Sequence, residues 1–324
     1  MSNAWRYLWM GIAAAFAVPS VGIPLVGAQP AGASKPSVVA TIRPIHSLVA
    51  AVMQGTGEPR LLVEGIASPH TYVLKPSDAK ALANADVVFR VSEGLEPFTA
   101  KLVQSLPKTV RVVTLEATPG LTLYALRTGA TFETHDHGAK GHKHGHKHEA
   151  GGTDGHIWLD PANAKLLAAA IAQTLAQAAP QHADRYRANA DALVARIDAL
   201  TTELDAAVRP LAGRSYVVFH DAYQYFERRF GLTPAGSVTV SPEVPPSARR
   251  ITALRRKITE LRAVCIFAEP QFAPKVIDPI VEGSSIRRGT LDPLGAAIPA
   301  GPEQYPALLR ALANDLRSCL TNPS

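Results

Sequence analysis

The chain has 324 residues, 47% of them hydrophobic, 19% charged and only 6% aromatic, with a formal net charge of +6. That is enough apolar material for two domains or one large one, which excludes a disordered or fibrous chain. The positive balance is modest, a His/Lys tract supplies part of it, and no Arg/Lys stripe is interleaved with aromatics, so nothing favours nucleic acid as a partner.

Arg6 is the one charged residue before Lys35, and the apolar stretch between them, Tyr7 to Val26, runs into the small residues Val26-Gly27-Ala28. The pattern predicts a secretory signal peptide over 1–28, cleaved after Ala28 or alternatively after Ala33, and export to the bacterial periplasm. The uncharged run is long enough to span a membrane, but Pro19 and Pro24 interrupt it. No Cys closes the segment, so a lipid anchor has no attachment point.

A Pro/Gly/Ser linker leads to the β-branched run Ser37–Ile42, then a helix over Ile45–Met53, a second strand Arg60–Val63 and a loop holding Ser68-Pro69-His70-Thr71-Tyr72. Pro76-Ser77-Asp78 starts a helix that runs on through Ala79–Ala85. Strands follow at Asp86–Val91 and Val110–Leu115. Strands alternating with helices at this spacing predict βαβ units and a parallel sheet.

The next stretch is the most unusual. Of the 11 His in the chain, six (His135, His137, His142, His144, His146 and His148) crowd one Gly/Lys-rich tract, and a seventh, His156, follows a Gly-rich gap and begins His-Ile-Trp-Leu-Asp-Pro. Clustered imidazole points first to metal handling. The tract itself cannot build a core and reads as a solvated loop that binds metal weakly, since a flexible chain loses entropy on coordinating.

Ala162–Ala179 is helical, and from Pro180 to about Val208 apolar residues recur at three- and four-residue steps without internal Gly or Pro until Pro210. This predicts a long helix connecting two lobes, with a surface helix of one lobe as the alternative. The second half repeats the alternation: strand Ser215–His220, helix Ala222–Phe230, basic helix Ala248–Leu261, strand Ala263–Ala268, helix Pro274–Glu282, strand Arg288–Asp292 and closing helix Pro306–Leu320. The expected architecture is α/β, with a lobe over 36–178 that includes the His-rich loop 134–155, a connecting helix over 179–212 and a second lobe over 213–324. Each lobe carries a mainly parallel sheet flanked by helices. Cys265 and Cys319 are the two cysteines; in an exported chain they favour a disulfide over two buried thiols, worth about 4 kcal/mol for a loop of about 50 residues.

Parallel α/β sheets bind ligands at the carboxyl ends of their strands. His70, His156, His220 and Asp292 all fall at such loop edges. Singly, each His reads as a hydrogen-bonded structural residue and Asp292 as a turn residue. Jointly they suggest a metal between the lobes, and three imidazoles with one oxygen suit tetrahedral zinc, where an oxygen-rich set would suit Mn2+ or Ca2+.

The stretches Thr41-Ile-Arg-Pro-Ile45, Pro69-His-Thr-Tyr72 with Lys75-Pro-Ser-Asp78, Asn84-Ala-Asp86, His156-Ile-Trp-Leu-Asp-Pro161, Phe219–Phe226, Phe267-Ala-Glu-Pro-Gln271 and Gly289–Gly295 resemble the metal-binding solute-binding proteins of ABC importers, specifically the periplasmic zinc-uptake type. The resemblance covers nearly all of Ser37 to Leu320. It implies two α/β lobes joined by a long rigid helix, a metal site in the cleft, and His70, His156 and His220 as zinc ligands with Asp292 as a possible fourth. The manganese members typically carry Glu where this chain has His220. A Glu that can precede the first ligand in zinc-type relatives is Pro69 here, so the fourth position falls to Asp292 or water. The resemblance also extends to the Cys265–Cys319 disulfide and the His-rich loop.

His46, early in the first helix, is a candidate accessory ligand, and Glu269, before Pro270, a candidate acceptor for a ligand N–H. The expected function is capture of Zn2+ in the periplasm by a monomer and its delivery to a membrane permease with a cytoplasmic ATPase, without catalysis. The alternatives are a Mn2+-binding member or adhesin of the same fold, and a zinc hydrolase, for which no HExxH-like motif is present.

Overall fold

The computed structural model describes residues 35–127, 132, 152–239, 241–242 and 244–321. The expected signal segment and the six His of the tract lie outside the described residues.

Two four-stranded sheets are built alike. The first takes β1 (Val38–Ala40), β2 (Arg60–Leu61), β3 (Val87–Arg90) and β4 (Arg111–Thr114) in the order β2-β1-β3-β4. The second takes β5 (Tyr216–His220), β6 (Pro234–Thr239), β7 (Cys265–Ala268) and β8 (Arg287–Thr290) in the order β6-β5-β7-β8. Every pairing within them is parallel. In each sheet the chain reverses its direction of travel beside the first strand, and such a switch point opens a crevice at the carboxyl ends. In the second sheet that crevice lies between β5 and β7.

The flanking helices are α1 (Arg43–Val52), α2 (Pro76–Ala83), α3 (Thr99–Ser105), α4 (Pro161–Ala178), α5 (Ala183–Val208), α6 (Gln224–Phe230), α7 (Ala248–Glu260), α8 (Asp278–Val281) and α9 (Gln304–Thr321). Their ends follow local chemistry. Asp160 caps α4 by accepting from Ala162 N at 2.8 Å, with Pro161 in the first turn where its missing N–H is no loss. Gly231 stops α6 in the left-handed conformation at φ 67°.

The 26 residues of α5 bury Tyr186, Ala190, Leu193, Ile197, Leu200, Leu204 and Val208, one face at steps of three and four. That face packs on α1, α4 and α9. A single apolar cluster thus runs from Val38 and Phe89 of the first sheet through α5 to Tyr216 and Phe267 of the second. The long helix is a shared wall of one core. Cross-links reinforce it: Trp158 Nε1 donates to Pro293 O at 2.9 Å, Tyr305 OH to Trp158 O at 2.9 Å, and Arg229 grips Asp160 with two 2.7 Å bonds. The Cys265–Cys319 disulfide ties β7 to α9 across 54 residues of sequence.

Several boundaries differ from the sequence reading. The helix expected over Pro274–Glu282 divides into a 3₁₀ turn, Pro274–Ile277, and the short α8. α9 begins ahead of Pro306, which sits in its first turn. Two elements went unread: α3, and β6, an edge strand that tolerates its leading Pro234 because an edge need not donate on its outer side.

Candidate metal centre

Three separate elements bring three imidazoles together. His70 rides the loop after β2, its N–H held by Ser68 Oγ at 3.3 Å. His156 begins a 3₁₀ turn, Ile157–Leu159, whose three apolar side chains are fully buried and fix its direction. His220 is the last residue of β5, at the crevice of the second sheet. Their ligand atoms all lie within 4.8 Å of one another, with His70 Nε2 and His220 Nε2 each 3.3 Å from His156 Nε2.

Carboxylates behind the rings decide what these nitrogens offer. His156 Nδ1 lies 2.7 Å from Asp154 Oδ1, and His220 Nδ1 lies 2.8 Å from both oxygens of Glu269. A carboxylate accepts, so each Nδ1 carries the hydrogen and, in the neutral rings, each Nε2 presents a lone pair. Two lone pairs facing each other across 3.3 Å repel unless a cation lies between them. A tetrahedral ion with Zn–N distances of about 2.0–2.1 Å separates its donors by about 3.3–3.4 Å, which is the spacing found.

Burial, and then the neighbouring His156 and His220, hold His70 well below the usual imidazole value, so it is neutral at physiological pH. For His220 burial pushes down, but the Glu269 carboxylate outweighs it and the net shift is upward. Glu269 is itself held by Tyr223 OH at 3.1 Å.

A void of about 10 Å³, the size of one small atom's freedom, lies among the three His with Trp158, Phe272 and Leu294 around it. Beyond it a cavity of about 380 Å³ reaches outward past Glu116, Asp221 and Gly152. Of the two carboxylates on its walls, Asp221 is already paired with Arg127.

The structure does not bring every expected residue into this group. Asp292 is spent on its own turn: Oδ1 accepts from Leu294 N at 2.9 Å and Gln271 Nε2 at 2.7 Å, Oδ2 from Ala296 N at 2.6 Å. His46 bonds Pro59 O at 3.0 Å, just ahead of β2, and is not in the group. Glu269 stands behind His220.

Sequence reasoning missed Asp154. It is fully buried, also receives His156 N at 3.0 Å and Gln224 Nε2 at 3.2 Å, and its carbonyl accepts from Tyr225 OH at 2.7 Å. The Asp-Gly-His spacing was the available signal, hidden at the end of a Gly-rich stretch. Also missed were the contacts of the described residues flanking the tract in sequence, where Ala125 bridges Thr153 and Arg127 bonds Asp221 and Glu227, the latter at 2.8 Å.

Two parallel sheets around a nitrogen-lined cation pocket at their carboxyl edges define a metal-binding protein of the two-lobed α/β class. Residues 38–319 match the family ZnuA, zinc-uptake complex component A periplasmic, and the chain belongs to that family. It is 45% identical over 331 residues to the high-affinity zinc uptake system protein ZnuA of Brucella suis biovar 1 (strain 1330), covering 96% of this chain and 97% of that one. A crystal structure of ZnuA is similar at a TM-score of 0.74 and 25% identity, over 89% of this chain and 100% of that chain. The periplasmic zinc binding protein TroA from Treponema pallidum shares the fold, at a TM-score of 0.76 and 22% identity over 89% of this chain and 100% of its own.

Proposed function

We propose that the protein captures Zn2+ in the periplasm through His70, His156 and His220 and hands it to an inner-membrane ABC permease driven by a cytoplasmic ATPase. The observation that carries this reading is the pair of carboxylate-fixed imidazoles whose Nε2 atoms face each other at 3.3 Å, with a third imidazole beside them. An all-nitrogen set favours zinc over manganese, which prefers oxygen donors. The fourth position goes to solvent, and Asp292 serves its turn instead. Membership of a zinc-uptake family and 45% identity to a high-affinity zinc uptake protein support the same cargo. The reading needs a carrier and no catalytic step.

The His tract is assigned the accessory part: weak capture of zinc, passed on to His156. Competition titration with a zinc chelator tests the division. The full protein should show one tight site plus weaker binding; deletion of Thr134–Glu149 should remove only the weaker binding, and His220→Ala the tight site. Loss of the tight site on deleting the tract would overturn the assignment. Ester hydrolysis by the zinc form that vanishes on demetallation would replace the carrier reading with a catalytic one.

A further inference from the structure

A second cavity lies at the opposite edge of the second sheet from the three His. It measures about 800 Å³ and sits at the amino ends of β5, β7 and β8, lined by Arg214, Arg262 and Arg287 with the hydroxyl residues Thr259, Ser284 and Ser285. Among the described residues no carboxylate lines it. Among the described residues none of the three guanidinium groups is in an ion pair; the one side-chain bond they make is Arg214 Nη1 to Leu320 O at 2.8 Å. Like charges lining one concavity repel, although Arg214 and Arg262 are exposed to solvent and Arg287 also borders a smaller cavity that Asp315 lines.

Two further costs fall at the same place. Arg287 Nε is shielded from solvent and bonded to nothing, a donor left unsatisfied. Arg262 sits at φ 48°, in the left-handed position just after α7 where glycine is ordinary and a long side chain is strained. That backbone is set by the end of α7, where Ala263 N bonds Ile258 O at 2.9 Å, and the carboxyl end of the helix also attracts a cation. The helix itself, ARRITALRRKITE, carries five basic residues against one acidic, so the cavity opens beside a positive field.

We propose that this cavity is a site for a phosphate group, independent of the metal centre. Guanidinium forks match phosphate oxygens in geometry as well as charge, and an anion would offset the charge of the arginines that line the cavity. The phosphate could belong to a free anion or to a phospholipid headgroup.

The test uses the full protein loaded with one equivalent of zinc. Inorganic phosphate is titrated against chloride at equal ionic strength, and co-sedimentation is measured with vesicles of phosphatidylcholine alone or containing phosphatidylglycerol. Saturable phosphate binding weakened at least tenfold by Arg262→Gly and Arg287→Gln supports a free-anion site. Binding confined to the phosphatidylglycerol vesicles, and lost in the same variants, supports a headgroup site. Arg262→Gly relieves the left-handed position, so it keeps the fold, and unchanged zinc affinity verifies this. Binding of neither probe by the wild type, or equal binding by the variants, overturns the proposal.

Discussion

Asp154 and Glu269 turn two ordinary imidazoles into metal donors by fixing which nitrogen holds the hydrogen. Supporting carboxylates of this kind are worth about 10–100-fold in metal affinity. Asp154→Ala should therefore weaken zinc binding by about that factor while leaving the circular dichroism spectrum unchanged; an affinity equal to wild type would remove Asp154 from the account. The same carboxylates set the pH response. Zinc needs a neutral His220, whose folded value Glu269 raises above the ordinary 6.5, so the ion competes with a proton at every pH below that raised value. Affinity should fall about tenfold per pH unit as pH drops through this range. His70, held well below 6.5, adds no further competition until much lower pH. Glu269→Gln should move the onset of the loss to lower pH, measured as chelator-competition affinity between pH 8 and 5; an unmoved onset would assign the titration elsewhere. The three His were legible because each stands at a strand or loop edge and because the motifs around them resemble a metal-binding family. Asp292 looked like a fourth ligand by the same criterion, and sequence could not reveal that its carboxylate closes the turn to Ala296.

The elements that carry these side chains are held by polar contacts as much as by packing. α6 follows directly from His220 and reaches over to the described residues flanking the tract in sequence: Gln224 Nε2 bonds Ala125 O at 3.1 Å and Asp154 Oδ2 at 3.2 Å, and Tyr225 OH receives Tyr124 N at 3.2 Å. The carboxylates of Asp221 and Glu227, each only 2% exposed, meet Arg127 there. Removing one partner of a buried ion pair strands the others and costs about 3–5 kcal/mol. Arg127→Ala should lower stability by that amount in a urea titration, and a loss under 1 kcal/mol would show these contacts to be unimportant. None of this was readable from the sequence, where Arg127 is one more loop residue and its partners lie about a hundred positions away. Strand and helix order was readable, because alternation of β-branched runs with capped helices is local. β6 and the broken helix after Pro274 were not, since their form depends on the sheet edge and on neighbours distant in sequence.

Across the whole molecule one apolar cluster joins both sheets through α5, and the His centre lies at the sheets' carboxyl edges. Such a build fixes His156 and His220 relative to each other through Asp154 and α6, so the donor spacing is a property of the fold. The expectation of two lobes about a long helix came from the pattern of elements; the continuity of the core came only from the folded chain, because a buried stripe does not say what covers it. The central claim is that three imidazole nitrogens hold one zinc ion. Zinc-edge X-ray absorption on protein lacking Thr134–Glu149 and loaded with one equivalent of zinc tests it most directly. Three imidazole nitrogens at about 2.0–2.1 Å should dominate the zinc coordination. A shell made mostly of oxygen, or one with a single imidazole, would contradict it.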